Sequence, residues 1–296
     1  MLAASCSNES ETTVENQNEK GFAPVTVQVS DFSMSQEDFS GGTTSNSENA
    51  ARTRTATSVA DYSGVKAITL AFYNSDGTTQ AYSTTQLKAD NTTYTTFGNF
   101  SLSLPVGSYK MIVLGYGSDY PVVFNSMTDV TSGEEKNREM FCNTQDVIIS
   151  NAAANDLSAT LSRVNSRLHV ISTDLRPADA TVVRITFAAG GKNFNPLTGL
   201  ATSNTGYVCR IMASTSLTEV VKSRADIFLT DDEQTMDVTI ETLDDNDNVL
   251  FSKTVSDVPF KRNRITTLTG AMYSPGSASA SFTVETDWLE EHTINF

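Results

Sequence analysis

Cys6 is the residue with the most telling chemistry in the chain. It follows the small-residue run Leu2-Ala3-Ala4-Ser5 and is followed at once by polar and acidic residues. This arrangement is typical of a bacterial lipoprotein processing site, where the cysteine becomes the N-terminus, carries acyl chains and holds the protein to a membrane. A secretory signal also needs an apolar segment of about 7–15 residues, so we expect a longer precursor. The alternative is an incidental cysteine in a disordered tail.

Two further cysteines, Cys142 and Cys209, allow two interpretations. They could form one disulfide in an oxidising compartment. They could also be two separate buried thiols, which behave as small hydrophobic side chains. We favour separate thiols, because the two cysteines lie in different predicted domains.

The residues needed for catalysis are scarce. The chain has two histidines, His169 and His292. His169 stands between Leu168 and Val170 in a predicted strand, so we expect a half-buried sheet residue, and His292 lies in a polar tail. A nucleophile needs an adjacent base to react at neutral pH, and no such pairing is indicated. The sequence therefore predicts a non-catalytic protein without a cofactor.

Candidate metal, phosphate and partner sites are also weak. The acidic segment 244–248 lacks the glycine and glutamate of a calcium loop, so we interpret it as a polar hairpin tip and predict no metal. The glycines at 115, 117, 190 and 191 do not precede a helix, as a phosphate loop requires. Trp288, the single tryptophan, is expected to dock the terminal segment onto the body, or to anchor a partner.

Composition narrows the function classes. The 296 residues carry a net charge of −15, with a pI of about 4.5, and 39% are hydrophobic. Nucleic-acid binding needs a basic face, and we predict none. No run of about 18 apolar residues occurs, so no membrane-spanning segment is predicted. Low charge with abundant Thr, Ser, Val and Asn is typical of extracytoplasmic β-proteins.

Alternation of apolar and polar residues predicts strands over most of the chain. An Asn-Ser-Asp-Gly segment at 74–77 predicts a hairpin turn. Residues 126–140 are predicted to be a loop, and 214–223 a short helix. The predicted strands are 25–29, 65–73, 80–87, 97–104, 109–116, 147–149, 157–161, 167–171, 181–188, 207–212, 237–242, 249–255, 265–268 and 281–284.

So many short strands predict an all-β protein of two sandwiches rather than one. We place the boundary near Ser162 to Asn165, where the linker is very short and should couple the domains rigidly. The predicted organisation is a signal remnant and disordered tether over 1–23, an N-terminal β-sandwich domain over 24–163 and a C-terminal one over 164–296. The tether is too polar and acidic to order itself.

Several motifs, in this order and spacing, resemble the fimbrillin-type lipoproteins of Bacteroidales, in particular the anchor and minor subunits of type V fimbriae. Besides Cys6, the motifs are ARTRTA at 51–56, FYNSDG at 72–77, LPVGSY at 104–109, NPLTG at 195–199 and VPFKRN at 258–263. The resemblance implies tandem transthyretin-like β-sandwich domains and a structural or adhesive role in a surface fimbrium on the outer membrane.

The resemblance also implies assembly by strand exchange. An extended strand from one subunit fills a groove in the next, so the implied partners are other fimbrial subunits, with a host or bacterial surface ligand as a further partner. In stalk and tip subunits an arginine-directed protease removes the first strand, and Arg52 and Arg54 match that position. The alternative is that both are ordinary surface arginines. An anchor subunit would keep its first strand. A surface glycan-binding lipoprotein is the second function that we consider.

Overall fold

The computed structural model describes residues 21–33, 57–58, 62–89, 97–273 and 283–286. Within these ranges all regular structure is β, which confirms the prediction of an all-β protein, and no helix is long and apolar enough to cross a membrane. The strands are β1 (Phe22–Ser33), β2 (Thr57–Ser58), β3 (Ala67–Asn74), β4 (Gln80–Leu87), β5 (Asn99–Pro105), β6 (Gly107–Tyr116), β7 (Val123–Ser126), β8 (Asp129–Thr131), β9 (Met140–Ile149), β10 (Asn155–Arg163), β11 (Ser166–Leu175), β12 (Val182–Phe187), β13 (Phe194–Asn195), β14 (Leu200–Ala201), β15 (Tyr207–Met212), β16 (Val220–Ile227), β17 (Glu233–Leu243), β18 (Val249–Lys261), β19 (Ile265–Gly270) and β20 (Thr283–Thr286).

Two predictions about local structure are wrong. The short helix predicted over 214–223 does not form, because β16 begins at Val220 and alternates inward residues such as Val221 and Ser223 with exposed ones. The loop predicted over 126–140 contains β8, and β7 ends at its first residue. β8 has only three residues, and charged residues interrupt the apolar ones of β16. Neither strand therefore shows an apolar period of two in its sequence.

The first half of the chain forms an eight-stranded sheet that folds over one core. Its order is β2-β1-β10-β9-β6-β3-β4, with β5 added to β1. β10 and β9 pair only through Ser162–Cys142 and Arg163–Phe141, so the sheet turns a corner there. The result is a β-sandwich in which β5, β1 and β10 cover the strands β9, β6, β3 and β4.

The second half forms two four-stranded sheets around a second core. One has the order β16-β11-β19-β20 and the other the order β15-β12-β17-β18. Buried residues from both sheets, including Val170, Ile185 and Ile240, make up this core. A third buried cluster joins the halves, since it combines Ala67 and Tyr116 with Phe194 and Phe228.

A small sheet also crosses between the halves. Its order is β14-β13-β8-β7, so two strands come from each half, and Phe194 pairs with Val130. The rings of Phe194 and Phe228 stack with their centres 4.6 Å apart behind it. The contact between the halves is therefore apolar around this small sheet.

The predicted hairpin turn at 74–77 is confirmed. Gly77 has a φ of +72° and its N–H donates to the Asn74 carbonyl, a backbone conformation that favours glycine. The acidic segment 244–248 is the tip of the hairpin between β17 and β18, where the Asp244 carboxylate accepts the N–H groups of Asn246 and Asn248. That prediction is confirmed too.

Candidate assembly site

β1 is the inner strand of a three-stranded layer. It runs parallel to β10, with Val25 opposite Asn155, and antiparallel to β5, with Val25 opposite Leu102. Both neighbours come from later in the chain. The first described strand therefore fills a gap between two strands that do not pair with each other along this layer.

The inward face of β1 carries small and β-branched side chains. Ala23, Val25 and Val27 are each 1% exposed and Val29 is 4% exposed. They pack into the first core beside Phe100, Leu104, Ala159 and Leu161. Full burial of a valine contributes roughly 1.5–3 kcal/mol, so the three valines are a large part of what holds the strand.

Main-chain and side-chain hydrogen bonds secure both ends of β1. The Val29 N–H donates to the Gly98 carbonyl and the Val106 N–H donates to the Gly21 carbonyl, each at 2.9 Å. The Asn155 amide donates to the Pro24 carbonyl at 2.9 Å, and the Thr26 hydroxyl donates to Asp156 at 2.6 Å.

The start of β5 is held independently of β1. The Gln86 side chain from β4 is buried, donates to the Asn99 carbonyl at 2.5 Å and accepts the Gly98 N–H at 2.8 Å. β5, one of the two neighbours of β1, is thus hydrogen-bonded to β4 as well. The layer is therefore an extended arrangement of main-chain hydrogen bonds and alternating apolar side chains around β1.

A buried ionic cluster occupies the linker between the halves. We call it the junction cluster and define it as Tyr62, Glu139, Arg163, Arg167, Asp226 and Asn263. The Arg163 guanidinium donates to Glu139 at 2.7 Å, to Asn263 at 2.9 Å and to the Tyr62 hydroxyl at 3.0 Å. Arg167 donates two hydrogen bonds to Asp226, at 2.7 and 3.1 Å.

The junction cluster is almost closed to solvent. The side chains of Arg163 and Glu139 are 3% and 6% exposed, and those of Arg167 and Asp226 are both 5% exposed. Arg163 also lies over the Phe141 ring, 4.7 Å from its centre. Two arginines and two carboxylates balance in charge, as burial requires.

Burial and neighbouring charges shift the pKa values of Tyr62 and Arg167 in this cluster. Burial, followed by the neighbouring Glu139 carboxylate, raises the pKa of Tyr62, so its hydroxyl stays protonated and donates to Glu139 at 2.6 Å. Burial acts to lower the pKa of Arg167, but the carboxylate of Asp226 outweighs it and raises that pKa overall. Arg167 is therefore a permanent cation, and both arginines hold the linker through their hydrogen bonds.

His169 lies outside this cluster but near it. It is 8% exposed on β11, more buried than the half-buried position we predicted. Burial, together with the cations of Lys222, Arg167 and Arg224, lowers its pKa to about 3. Its Nε2 atom is buried and has no hydrogen-bond partner among the described residues.

The predicted site residues Cys6, Arg52 and Arg54 lie outside the described residues, as do Trp288 and His292. Cys142 and Cys209 are both buried free thiols, so the favoured interpretation is confirmed. Burial raises the pKa of the Cys142 thiol to about 12 and also raises that of Cys209. Neither thiol is a reactive nucleophile.

Sequence reasoning missed the junction cluster. Glu139 and Arg163 are 24 positions apart, and Arg163 and Asn263 are 100 apart, so no local spacing joins them. The one available signal was the pair of arginines at 163 and 167 beside the predicted domain boundary.

Residues 32–295 match the model of DUF6562, described as a family of unknown function. The chain belongs to this family. The match includes the end of β1, the junction cluster and both halves. No protein of curated function matches the chain in sequence.

Solved structures with a similar fold come from Bacteroides ovatus. One, a "putative adhesin", has a TM-score of 0.51 at 12% identity and covers 92% of this chain and 97% of its own. A second "putative adhesin", from strain ATCC 8483, has a TM-score of 0.50 at 10% identity and covers 86% and 88%. At these identities the likeness establishes a shared fold and no more.

The fimbrial anchor protein Mfa2 from Porphyromonas gingivalis is also similar. It has a TM-score of 0.49 at 9% identity and covers 90% of this chain and 95% of its own. What the comparisons show of the predicted fimbrillin-type resemblance is the fold shared with the two Bacteroides ovatus proteins.

Proposed function

We propose that this DUF6562 chain is a non-catalytic structural or adhesive subunit of a cell-surface fimbrium, assembled by β-strand exchange. The observation that carries the proposal is the position of β1 between β5 and β10, where its inward side chains complete the first core. The similarity in fold to two proteins from Bacteroides ovatus called "putative adhesin" supports it.

In this proposal a strand from a neighbouring subunit takes the place that β1 occupies. β5 and β10 would supply main-chain hydrogen bonds along both edges of the incoming strand, and the positions of Val25, Val27 and Val29 would supply the apolar contacts. This is strand addition with pockets for alternate side chains.

The proposal includes two tandem transthyretin-like β-sandwich domains, over 24–163 and 164–296, that follow a tether over 1–23. The separate cores of the two halves support this division. The junction cluster and the small mixed sheet would then lie at the domain interface and hold it rigid.

The proposal places the chain on the outer membrane, held by acyl chains on Cys6, as an anchor or minor subunit. Its partners are other fimbrial subunits and a ligand on a host or bacterial surface. The intact mass of the membrane-extracted protein tests this. A start at acylated Cys6 supports an anchor that keeps β1. A start after Arg52 or Arg54 supports a subunit that loses it, and an unprocessed N-terminus contradicts both.

Strand exchange is tested with a labelled peptide of residues 21–33. After mild arginine-specific proteolysis we expect the chain to take up the peptide and to form a ladder of polymers on a gel, because cleavage frees β1 from the body. The uncleaved chain should do neither. A cleaved chain that keeps its own fragment and never accepts the peptide would contradict the proposal.

Two controls sharpen that experiment. A chain with Arg52→Ala and Arg54→Ala should resist cleavage at the proposed positions and remain inert to the peptide. A peptide with Val25→Asp and Val27→Asp should fail to bind, whereas one with Gln28→Glu should bind, since Gln28 is exposed in β1.

A second candidate function, glycan binding, has one observation in its favour. Tyr120 is 64% exposed at the edge of a cleft of about 680 Å³ that also includes Lys136, Arg210 and Met212. The Tyr207 hydroxyl contacts the cleft wall, since it donates to the carbonyl of Glu135, a lining residue, at 3.2 Å. Retention on a polysaccharide affinity gel that Tyr120→Ala abolishes, with no polymerisation, would favour this function instead.

A further inference from the structure

Four buried polar atoms at the far end of the second core have no hydrogen-bond partner among the described residues. We define the far end as the end remote from the linker at 163–166, where β11 ends at Leu175 and β12 begins at Val182. The atoms are Arg176 Nε, Thr181 Oγ1, Thr242 Oγ1 and the Tyr273 hydroxyl. Orphaned polar atoms in a folded interior are rare and call for a ligand or ordered water.

Hydrogen bonds connect the segments that carry these atoms. Arg176 Nη1 donates to the Ala180 carbonyl at 2.7 Å, next to Thr181. The Thr181 N–H donates to the Leu243 carbonyl at 2.9 Å, next to Thr242. The Asp174 carboxylate accepts the N–H groups of Met272 and Tyr273, each at 2.8 Å. The segments that carry the four side chains are therefore adjacent at this end of the second core.

Arg176 is the cation of this site, and the Asp174 carboxylate two residues before it accepts main-chain N–H groups. It is 8% exposed, and every hydrogen bond that it donates ends on a main-chain carbonyl, those of Pro177, Ala178, Ala180 and Thr215. No ion pair between described residues includes it. A buried cation without a counterion is costly.

The remaining atoms are hydroxyls, which can donate to an anion. Thr242 is 1% exposed and lies opposite Val183, a residue of the second core. Burial is the largest effect on Tyr273 and raises its pKa to about 12, while the Arg176 cation acts to lower that pKa and the Asp174 carboxylate acts to raise it. The Tyr273 hydroxyl is therefore a donor at neutral pH.

We propose that the far end of the second core binds a small oxyanion, held by Arg176 Nε and the hydroxyls of Thr181, Thr242 and Tyr273. The anion supplies the missing negative charge and accepts hydrogen bonds from all four groups. Free sulfate or phosphate and a carboxylate of a larger ligand share this chemistry. This site is independent of strand exchange and of the β1 layer.

The test measures thermal unfolding and calorimetric binding of the full chain with sulfate, phosphate or acetate, against chloride at equal ionic strength. A ligand that binds only the folded state raises the Tm with concentration. We expect stabilisation by sulfate or phosphate if the site takes a free inorganic anion. Stabilisation by acetate alone would indicate a carboxylate source.

Two variants of matched shape, Thr242→Val and Tyr273→Phe, should each weaken anion binding about tenfold or more, since a hydrogen bond to a charged group is worth about 1.5–3 kcal/mol. Thr239→Val is the control, because Thr239 lies on the same strand and bonds to Thr254 at the surface. Equal unfolding in all four salts, or unchanged binding by both variants, would show that only water fills the site and would overturn the proposal.

Discussion

The β1 layer and the junction cluster hold the molecule together by opposite means. β1 contributes a regular alternation of small apolar side chains and main-chain hydrogen bonds to two neighbours. The junction cluster depends on individual side chains, two arginines and two carboxylates with a tyrosine and an asparagine around them. Another strand with the same alternation could satisfy the first site, whereas few substitutions could satisfy the second.

This contrast indicates where the molecule could exchange a part and where it should stay fixed. Strand pairing uses main-chain groups that nearly every residue carries, so its specificity comes from the side chains, chiefly those that fill the core. A buried ion pair loses most of its value when one partner is removed, because the remaining charge is left uncompensated. We expect the β1 layer to tolerate conservative change and the junction cluster to tolerate little.

The largest effect should come from breaking the junction cluster. Glu139→Gln removes the carboxylate that Arg163 contacts and should lower the free energy of unfolding by about 3–5 kcal/mol. Chemical denaturation followed by circular dichroism measures it. A loss below about 1 kcal/mol would mean that the cluster contributes no more than a surface pair.

A smaller effect is expected in β1. Val27→Ala removes two buried methyl groups and leaves a small cavity, so it should cost about 2–3 kcal/mol in the same denaturation experiment. The matched change Gln28→Ala, on the exposed face, should alter stability by less than about 0.5 kcal/mol. Equal effects of the two changes would argue against a buried inner face of β1.

His169, outside the junction cluster, should make the stability of the chain depend on pH. Its folded pKa of about 3 lies below its ordinary value of 6.5, because of burial and the cations of Lys222, Arg167 and Arg224. The unfolded state therefore takes up the proton first, so stability is full above pH 6.5 and falls as the pH drops toward 3.

We expect His169 to lower the free energy of unfolding by about 1–2 kcal/mol at pH 5 relative to pH 7. His169→Gln should remove that part of the pH dependence when urea unfolding is measured at both values. A variant with the same decline as the original chain would assign the pH dependence to other groups.

The smallest effect should follow the loss of an exposed ion pair. Lys66 and Asp119 form a pair at 2.8 Å with side chains 52% and 55% exposed, so Asp119→Asn should cost less than about 1 kcal/mol. Exposed charges are screened weakly at roughly 0.05 M salt and strongly at roughly 1 M. Raising the salt between these values should abolish the stability loss caused by Asp119→Asn but should leave the loss caused by Glu139→Gln. A salt-sensitive Glu139 effect would contradict the buried geometry.

Local patterns account for the parts of the fold that were predicted correctly. The alternation of Val25, Val27 and Val29 predicted a strand and its inward face, and the Asp-Gly pair at 76–77 predicted a hairpin that the structure contains. The prediction failed at Val220–Ile227, where Lys222 and Arg224 interrupt the apolar residues and hide the strand. Periodicity reports only what neighbouring residues do.

The sequence by itself determined that this is an all-β protein, with a first strand that is apolar on one face and few residues able to perform catalysis. Its motifs also predicted lipidation at Cys6 and processing at Arg52 or Arg54, which remain predictions. Only the tertiary structure decided that β1 lies between β5 and β10, and that Arg163 meets Glu139, Tyr62 and Asn263. The physical reason is that alternation and turns are local, whereas strand order and charge pairing arise from contacts between residues far apart in the chain.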